Sequence, residues 1–165
     1  MRKASVAGLI VLLLCAGNAW AQLGDDTPDV DERVREILKA RDINYTVDKD
    51  GDFKVTFDMG NGRTQLAFVI SKTHTYRNLE VREIWACGYR SSEESGDFPA
   101  SVANQLLEDT FSKKLGAWAK MGSVAVFVVK ISASADEETL MSALNLAVNA
   151  ADEMEEKLSG DTDEF

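Results

Sequence analysis

The spacing of apolar residues changes several times along this chain, and this restricts its fold more than any other feature. Apolar residues recur every three to four positions over 30–38, 103–111 and 140–158, which is the period of an amphipathic helix. Over 45–47 and 53–59 they instead alternate with polar residues, as in a strand with one buried face. The pattern predicts an α+β domain in which three helices pack on an antiparallel sheet of about six strands.

Turn residues divide the β-prone stretches. Asp48–Asp52 and Gly60–Gly62 are rich in Asp, Asn and Gly, the residues of tight reversals. Strands are therefore expected over 43–47, 53–59, 65–71 and 79–88, and a hairpin over 115–120 and 124–132. The predicted order is α-β-β-β-β-α-β-β-α. A second helix that continues to Met121 is the alternative, but we expect it to stop near Lys114.

Helix boundaries follow from local signals. Thr27 and Pro28 suit the start of the first helix, which should end near Arg41. Ser134 and Glu137 match a capping box before the last helix. In the second helix the spacing predicts a buried stripe of Ala103, Leu107 and Phe111, flanked by Leu106.

The N-terminus resembles an export signal. Two basic residues precede a short apolar run, and Ala19-Trp20-Ala21 offers the small-x-small pattern that a signal peptidase accepts. The run is too short for a membrane span, so residues 1–21 are interpreted as a cleaved signal peptide of a periplasmic protein. We expect flexible tails at 22–29 and 160–165, the latter acidic, around a single domain at 30–159.

The charge balance is strongly acidic. The chain has a net charge of −10, which becomes −12 when the leader and its two basic residues are removed. Such a surface repels nucleic acid and anionic lipid. It favours solubility, or a basic partner.

Only Cys87 remains after cleavage, so an internal disulfide is excluded. A lone cysteine is usually a small buried side chain. The alternative is an intermolecular disulfide that links two copies.

The order of elements is similar to that of the YbjN-like family, known as bacterial sensory transduction regulators, whose fold resembles type III secretion chaperones. The resemblance rests on Asn104, Leu115–Trp118, Asp136–Leu140 and Ala150–Glu155. It implies a small α+β domain that often self-associates and has no known catalytic centre or cofactor.

Residues that could bear chemistry are few. Asp48, Asp50 and Asp52 alternate as calcium ligands do, but Phe53 stands where a calcium loop needs glycine, so a hairpin turn is expected. His74 is the only histidine and lies in a polar connection, which favours a surface position over a pair with Cys87. Hydrolase, nucleotide-binding and zinc-protease motifs are absent, so no enzyme, metal or cofactor is predicted.

The remaining candidates are apolar. Trp85 shares a phase with Val81 and Cys87 and is assigned to the core. Trp118 has the opposite phase to Leu115 and Ala117 and is the best candidate for a partner contact, with a position in the core as the alternative. Three residues of the last helix extend its apolar surface beyond one stripe and are further candidates for partner contacts: Met141, Leu146 and Ala150. The alternative is that they are buried in the protein's own core.

These observations predict a non-enzymatic protein that binds another protein, or a second copy of itself, through apolar surface contacts. The alternative is a binding protein for a small molecule or envelope component, or an unrecognised enzyme, with a pocket between sheet and helices.

Overall fold

The computed structural model describes residues 29–160 and 162–165. The predicted leader and the predicted N-terminal tail, apart from Asp29, lie outside them. Three helices and a seven-stranded antiparallel sheet confirm the predicted α+β class. The elements are α1 (Glu32–Ala40), β1 (Thr46–Val47), β2 (Phe53–Gly60), β3 (Arg63–Val69), β4 (His74–Tyr76), β5 (Leu79–Arg90), α2 (Ala100–Ser112), β6 (Ala117–Met121), β7 (Val124–Ser132) and α3 (Glu137–Ser159).

The sheet has the strand order β1-β2-β3-β5-β7-β6, and β4 pairs with the beginning of β5. All neighbours are antiparallel. The three predicted hairpin turns are confirmed, and Asn61 and Gly62 take the positive φ values of 55° and 80° that a two-residue reversal needs. The short strand β4 was not predicted, because its three residues are all exposed and show no apolar alternation.

Helices α1 and α3 cover one face of the sheet and form the main core with it. The pattern of β2 explains why, since Phe53 and Val55 point to that face and are buried while Lys54 and Thr56 are exposed. The sheet contributes Phe53, Val55, Ala67, Val69, Ile84, Ala86, Phe127 and Val129, and α3 contributes Leu140, Ala143, Leu144, Ala147, Val148, Ala150 and Ala151. Among the described residues no helix is long and apolar enough to cross a bilayer.

Aspartates cap α1 and α3, where the sequence predicted Thr27 and Ser134 as capping residues. Asp31 begins α1 by accepting a hydrogen bond from the Arg33 amide at 2.9 Å. Asp136 begins α3 by accepting from the Thr139 amide at 2.9 Å. The expected capping box at Ser134 is wrong because the N-cap is Asp136, directly before the first helical residue. The Ser134 hydroxyl forms a hydrogen bond with the Ser132 hydroxyl instead.

The predicted buried stripe of α2 is also wrong. Leu106 is 4% exposed, whereas Leu107 and Phe111 are 65% and 94% exposed. Polar contacts on the inner side of the helix fix this rotation, since Thr110 and Asp109 accept hydrogen bonds from the backbone and indole N–H groups of Trp118. The helix stops at Ser112, close to the predicted end.

A buried ion pair ties the start of α1 to the sheet. Arg82 on β5 is 2% exposed and donates to the Ile70 carbonyl at 2.9 Å and to the Asp31 carboxylate. Burial raises the pKa of Asp31, but hydrogen bonds from Arg33 and Arg82 outweigh it and hold that pKa well below 3.8. Asp31 is therefore ionised wherever the protein is folded at moderate pH.

Candidate functional site

The face of the sheet opposite α1 and α3 is apolar as well, and no described helix covers it. In β7, Val124, Val126 and Val128 point to this side while Ala125 and Phe127 point to the helices, because side chains alternate along a strand. We call the apolar side chains on this side of β3, β5, β6 and β7 the open face: Leu66, Phe68, Trp85, Cys87, Ala117, Ala119, Met121, Val124, Val126 and Val128.

A groove of about 540 Å³ runs over the half of the open face formed by β5, β6 and β7. Trp85, Val126 and Val128 line it, and the exposed Leu115 and Met121 stand beside them. Its volume is within the range of about 300–1,000 Å³ that is common for binding sites. The groove therefore offers a sizeable apolar surface that the chain's helices do not use.

The polar groups at one end of this groove are already paired. The indole N–H of Trp85 donates to Glu83 at 2.9 Å, and Lys130 lies 3.0 Å from the other oxygen of the same carboxylate. Burial raises the pKa of Glu83, but the bonds from Lys130 and Trp85 outweigh it and lower that pKa. The pairing fixes the Trp85 ring and leaves mainly apolar surface for a ligand.

The C-terminal segment, residues 162–165, covers the other half of the open face. Phe165 is 8% exposed and packs with Cys87, Val124 and Val126. The guanidinium carbon of Arg90 lies 5.2 Å from the centre of the Phe165 ring, and Arg90 also pairs with Glu164. The tail that the sequence analysis placed outside the domain is thus packed against it.

The segment lies where β3 and β5 separate. Their pairing is confined to the register from Ala67–Ala86 to Val69–Ile84, although both strands continue beyond it. Asp163 accepts the backbone N–H of Thr64 at 3.2 Å. The free edge of β3 therefore binds the C-terminal segment in place of β5.

Glu155 holds the segment from the helix side. It is buried on α3, accepts the backbone N–H of Glu164 at 2.7 Å, and lies 3.3 Å from Arg63. Desolvation raises its pKa, with Arg63 and the Glu164 N–H acting in the opposite direction. A buried carboxylate is thus used to fix a backbone amide of the tail.

Cys87 lies beneath Phe165. It is buried, and burial raises the pKa of its thiol to about 11. The thiolate that forms disulfides is therefore disfavoured in this arrangement. The intermolecular disulfide stays a prediction, and it requires that Phe165 moves away first.

Trp118 is among the residues that line the groove, and its role as a partner contact stays a prediction. Its ring lies on the helix side of β6 and meets Phe127 edge to face, with ring centres 5.3 Å apart. A Cβ atom at Gly88 would lie 2.5 Å from its ring. The predicted strand phase is correct, but the face assigned to it is the one that the helices cover.

The candidates on α3 also contact the protein's own core. Ala150 is 2% exposed and cannot meet a partner, while Met141 and Leu146 are half-buried against the main core. Leu146 lines a shallow hollow of about 450 Å³ with Leu115 and Ile131, on the helix side of the sheet.

Trp85 was assigned to the core and instead lines the groove, half-buried. One signal in the sequence could have shown this. The run Val124–Val129 is apolar without alternation, which in an antiparallel sheet means that both faces are apolar. Because both faces are then apolar, the run does not indicate which face of the sheet the helices cover.

The polar candidates take structural positions. Asp48 accepts the backbone N–H groups of Asp50 and Asp52 at 2.9 and 3.0 Å, which confirms the turn. His74 is exposed and pairs with Val81, six residues and about 20 Å along β5 from Cys87. Within 29–160 and 162–165, no cluster of His, Cys, Asp or Glu could hold a metal ion.

Comparisons with known proteins give no relative. The chain matches no protein-family model, and no curated protein matches it. The open face is therefore interpreted from its own geometry.

Proposed function

We propose that this chain is a protein-binding domain, and that its open face holds an extended apolar segment of another polypeptide. The groove beside Trp85 is the observation that supports the proposal. It is formed by neighbouring strands, lined with aliphatic and aromatic side chains, and not covered by any described helix. A persistent apolar surface of this kind is typical of an interaction site.

The partner lies across the face of the sheet and is not added as a further strand. β6 is the edge strand next to the groove, but α2 stands beside it. Thr110 accepts the outward N–H of Trp118 at 3.0 Å. Strand addition needs such a group to be free, so the partner's side chains, rather than its backbone, supply the main contacts.

An unfolded polypeptide is a direct probe of this surface. We suggest fluorescence anisotropy with labelled α-lactalbumin that has been reduced and carboxymethylated, which keeps apolar segments extended. Ala119→Glu puts a charge on the exposed part of the groove, and Thr56→Glu puts the same charge on an exposed strand position of the same sheet face, outside the groove. Melting curves establish that both variants are folded.

The proposal predicts at least tenfold weaker binding for Ala119→Glu and unchanged binding for Thr56→Glu. It is wrong if the wild-type chain does not bind, or if both variants bind as the wild type does.

A small apolar molecule is the second candidate occupant, because the volume of the groove suits one. An environment-sensitive dye or a fatty acid would then bind the wild type and compete with the unfolded polypeptide. Binding of the small molecule with no binding of the polypeptide would favour this second function.

The proposed compartment and family rest on the sequence. We propose that the signal peptide is cleaved between Ala21 and Gln22 and that the protein then acts in the periplasm. N-terminal sequencing of the protein from a periplasmic extract tests this proposal. A YbjN-like relationship is supported by the quoted residues and agrees with the α+β class. A start at Met1 in the cytosolic fraction would contradict the first of these proposals.

A further inference from the structure

We propose that residues 162–165 form a displaceable lid on the open face, and that the segment which replaces the lid carries an aromatic side chain next to a carboxylate. The inference rests on the proposed function, because it concerns access to the same surface. It adds a regulating segment and the chemistry of the occupant.

The lid and the groove share one surface. Val126 lines the groove and also belongs to the apolar cluster beneath Phe165. A partner segment that follows the groove towards Cys87 therefore meets the Phe165 ring at Val126. Full occupancy of the open face requires the lid to leave.

The attachment of the lid is local. Phe165 supplies the one buried side chain of the segment. The exposed Asp163 accepts the Thr64 N–H at the edge of β3, and the backbone N–H of the exposed Glu164 donates to the buried Glu155 on α3. Segments with few buried contacts open at a small fraction of the free energy of global unfolding. The lid can thus open while the core of the protein remains folded.

The contacts of the lid define what the covered half of the face recognises. The Phe165 ring lies between the sheet and the Arg90 guanidinium, a favourable position for an aromatic ring. Arg90 also pairs with the Glu164 carboxylate. An aromatic side chain with an adjacent acidic group satisfies both contacts, and this chemistry identifies the occupant.

Cys87 reports on the lid directly, because it lies under Phe165. In the full chain with Cys15→Ser it is the sole thiol, and its rate of reaction with an aromatic disulfide reagent measures exposure. Phe165→Ala and a truncation that removes 162–165 should each raise this rate at least tenfold. Phe111→Ala removes an equally large ring that is exposed on α2 and should leave the rate unchanged.

Arg90→Ala is a further variant that keeps the apolar contact and removes the guanidinium above the ring. Because burial raises the pKa of the Cys87 thiol and Arg90 acts in the opposite direction, the rates are compared per thiolate, with the thiol titrated in each variant, and Arg90→Ala should then raise the rate about threefold. Rates for Phe165→Ala and the truncation that stay within threefold of the wild type would overturn the lid.

The chemistry of the occupant is tested on the truncated chain. The free tripeptide Asp-Glu-Phe at millimolar concentration should slow the reaction of Cys87, and Asp-Glu-Ala should not. Equal protection by both peptides, or protection by neither, would contradict the proposed recognition of an aromatic group.

A last arm links the lid to partner binding. The truncated chain should bind the unfolded α-lactalbumin probe at least threefold more tightly than the wild type. Equal affinity of the two chains refutes competition by the lid, whereas failure of both to bind refutes the proposed function itself.

Discussion

Replacing Asp31 should destabilise the protein far more than the loss of an ordinary helix cap. Asp31 caps α1 and also neutralises the buried Arg82. Loss of the cap costs about 1 kcal/mol. Stranding one partner of a buried ion pair costs about 3–5 kcal/mol, and we expect the lower end because Arg82 keeps its bond to Ile70. Asp31→Ala should therefore lose about 4 kcal/mol.

This loss is a large share of the roughly 5–15 kcal/mol by which a domain is stable. At about 4 °C per kcal/mol for a domain of this size, Tm should fall by roughly 15 °C. Urea titration followed by circular dichroism measures the free energy of unfolding. Asp31→Asn keeps a cap of equal quality, so its expected loss of about 3 kcal/mol isolates the charge.

Two controls test the reasoning. Combining Asp31→Ala with Arg82→Met removes both charges and should regain about 2 kcal/mol, since apolar replacement of a buried pair is often tolerated. The pKa of Asp31 is lower in the folded than in the unfolded chain, so its contribution is complete above about pH 5 and declines as the pH falls further. Asp31→Asn should lack this decline. An Asp31→Asn variant within about 0.5 kcal/mol of the wild type would refute the argument.

Other variants test the fold and its surface. Gly88→Ala should lower the free energy of unfolding by at least about 2 kcal/mol, as overpacking does, because its Cβ would lie 2.5 Å from the Trp118 ring. Adding Trp118→Leu should recover part of the lost stability. Equal stability of Gly88→Ala and the wild type would contradict the close packing. In urea titrations, Asp136→Ala should lower the free energy of unfolding by about 1 kcal/mol and Ser134→Ala should leave it almost unchanged. The reverse order would favour Ser134 as the capping residue. Phe111→Asp should keep its Tm, since 94% of this apolar residue is exposed and no buried contact is lost; a fall in Tm of more than about 4 °C, which corresponds to about 1 kcal/mol, would contradict the exposed position.

The sequence predicted most elements because alternation and turn residues are local signals. The burial of β2 follows its alternation, and the turn at Asp48–Asp52 follows its composition. Caps were harder, because Ser134 and Asp136 are both good capping residues and only the helix start decides between them. The buried stripe of α2 was predicted wrongly for another reason. Asp109 and Thr110 set the rotation of the helix through hydrogen bonds from Trp118 in β6, which the apolar spacing of α2 does not show.

The candidate site was only partly predictable. Opposite phases were assigned correctly to Trp118 and its neighbours in β6, yet both faces of the sheet are apolar and the pattern cannot tell which one α3 covers. Trp85 consequently lines the groove and not the core, whereas the Trp118 ring packs against Phe127 on the helix side. The docking of Phe165 depends on contacts with Cys87 and Arg90, which are far away in the sequence and have no local signature.

Photo-cross-linking tests the central claim most directly. A benzoylphenylalanine replaces Ala119 in the groove or, as a control, the exposed Asn149 on α3. Unfolded α-lactalbumin is added and the sample is irradiated. If the open face is the binding surface, position 119 gives a cross-linked product and position 149 gives little. Equal products from both positions, or a product from position 149 alone, would contradict it.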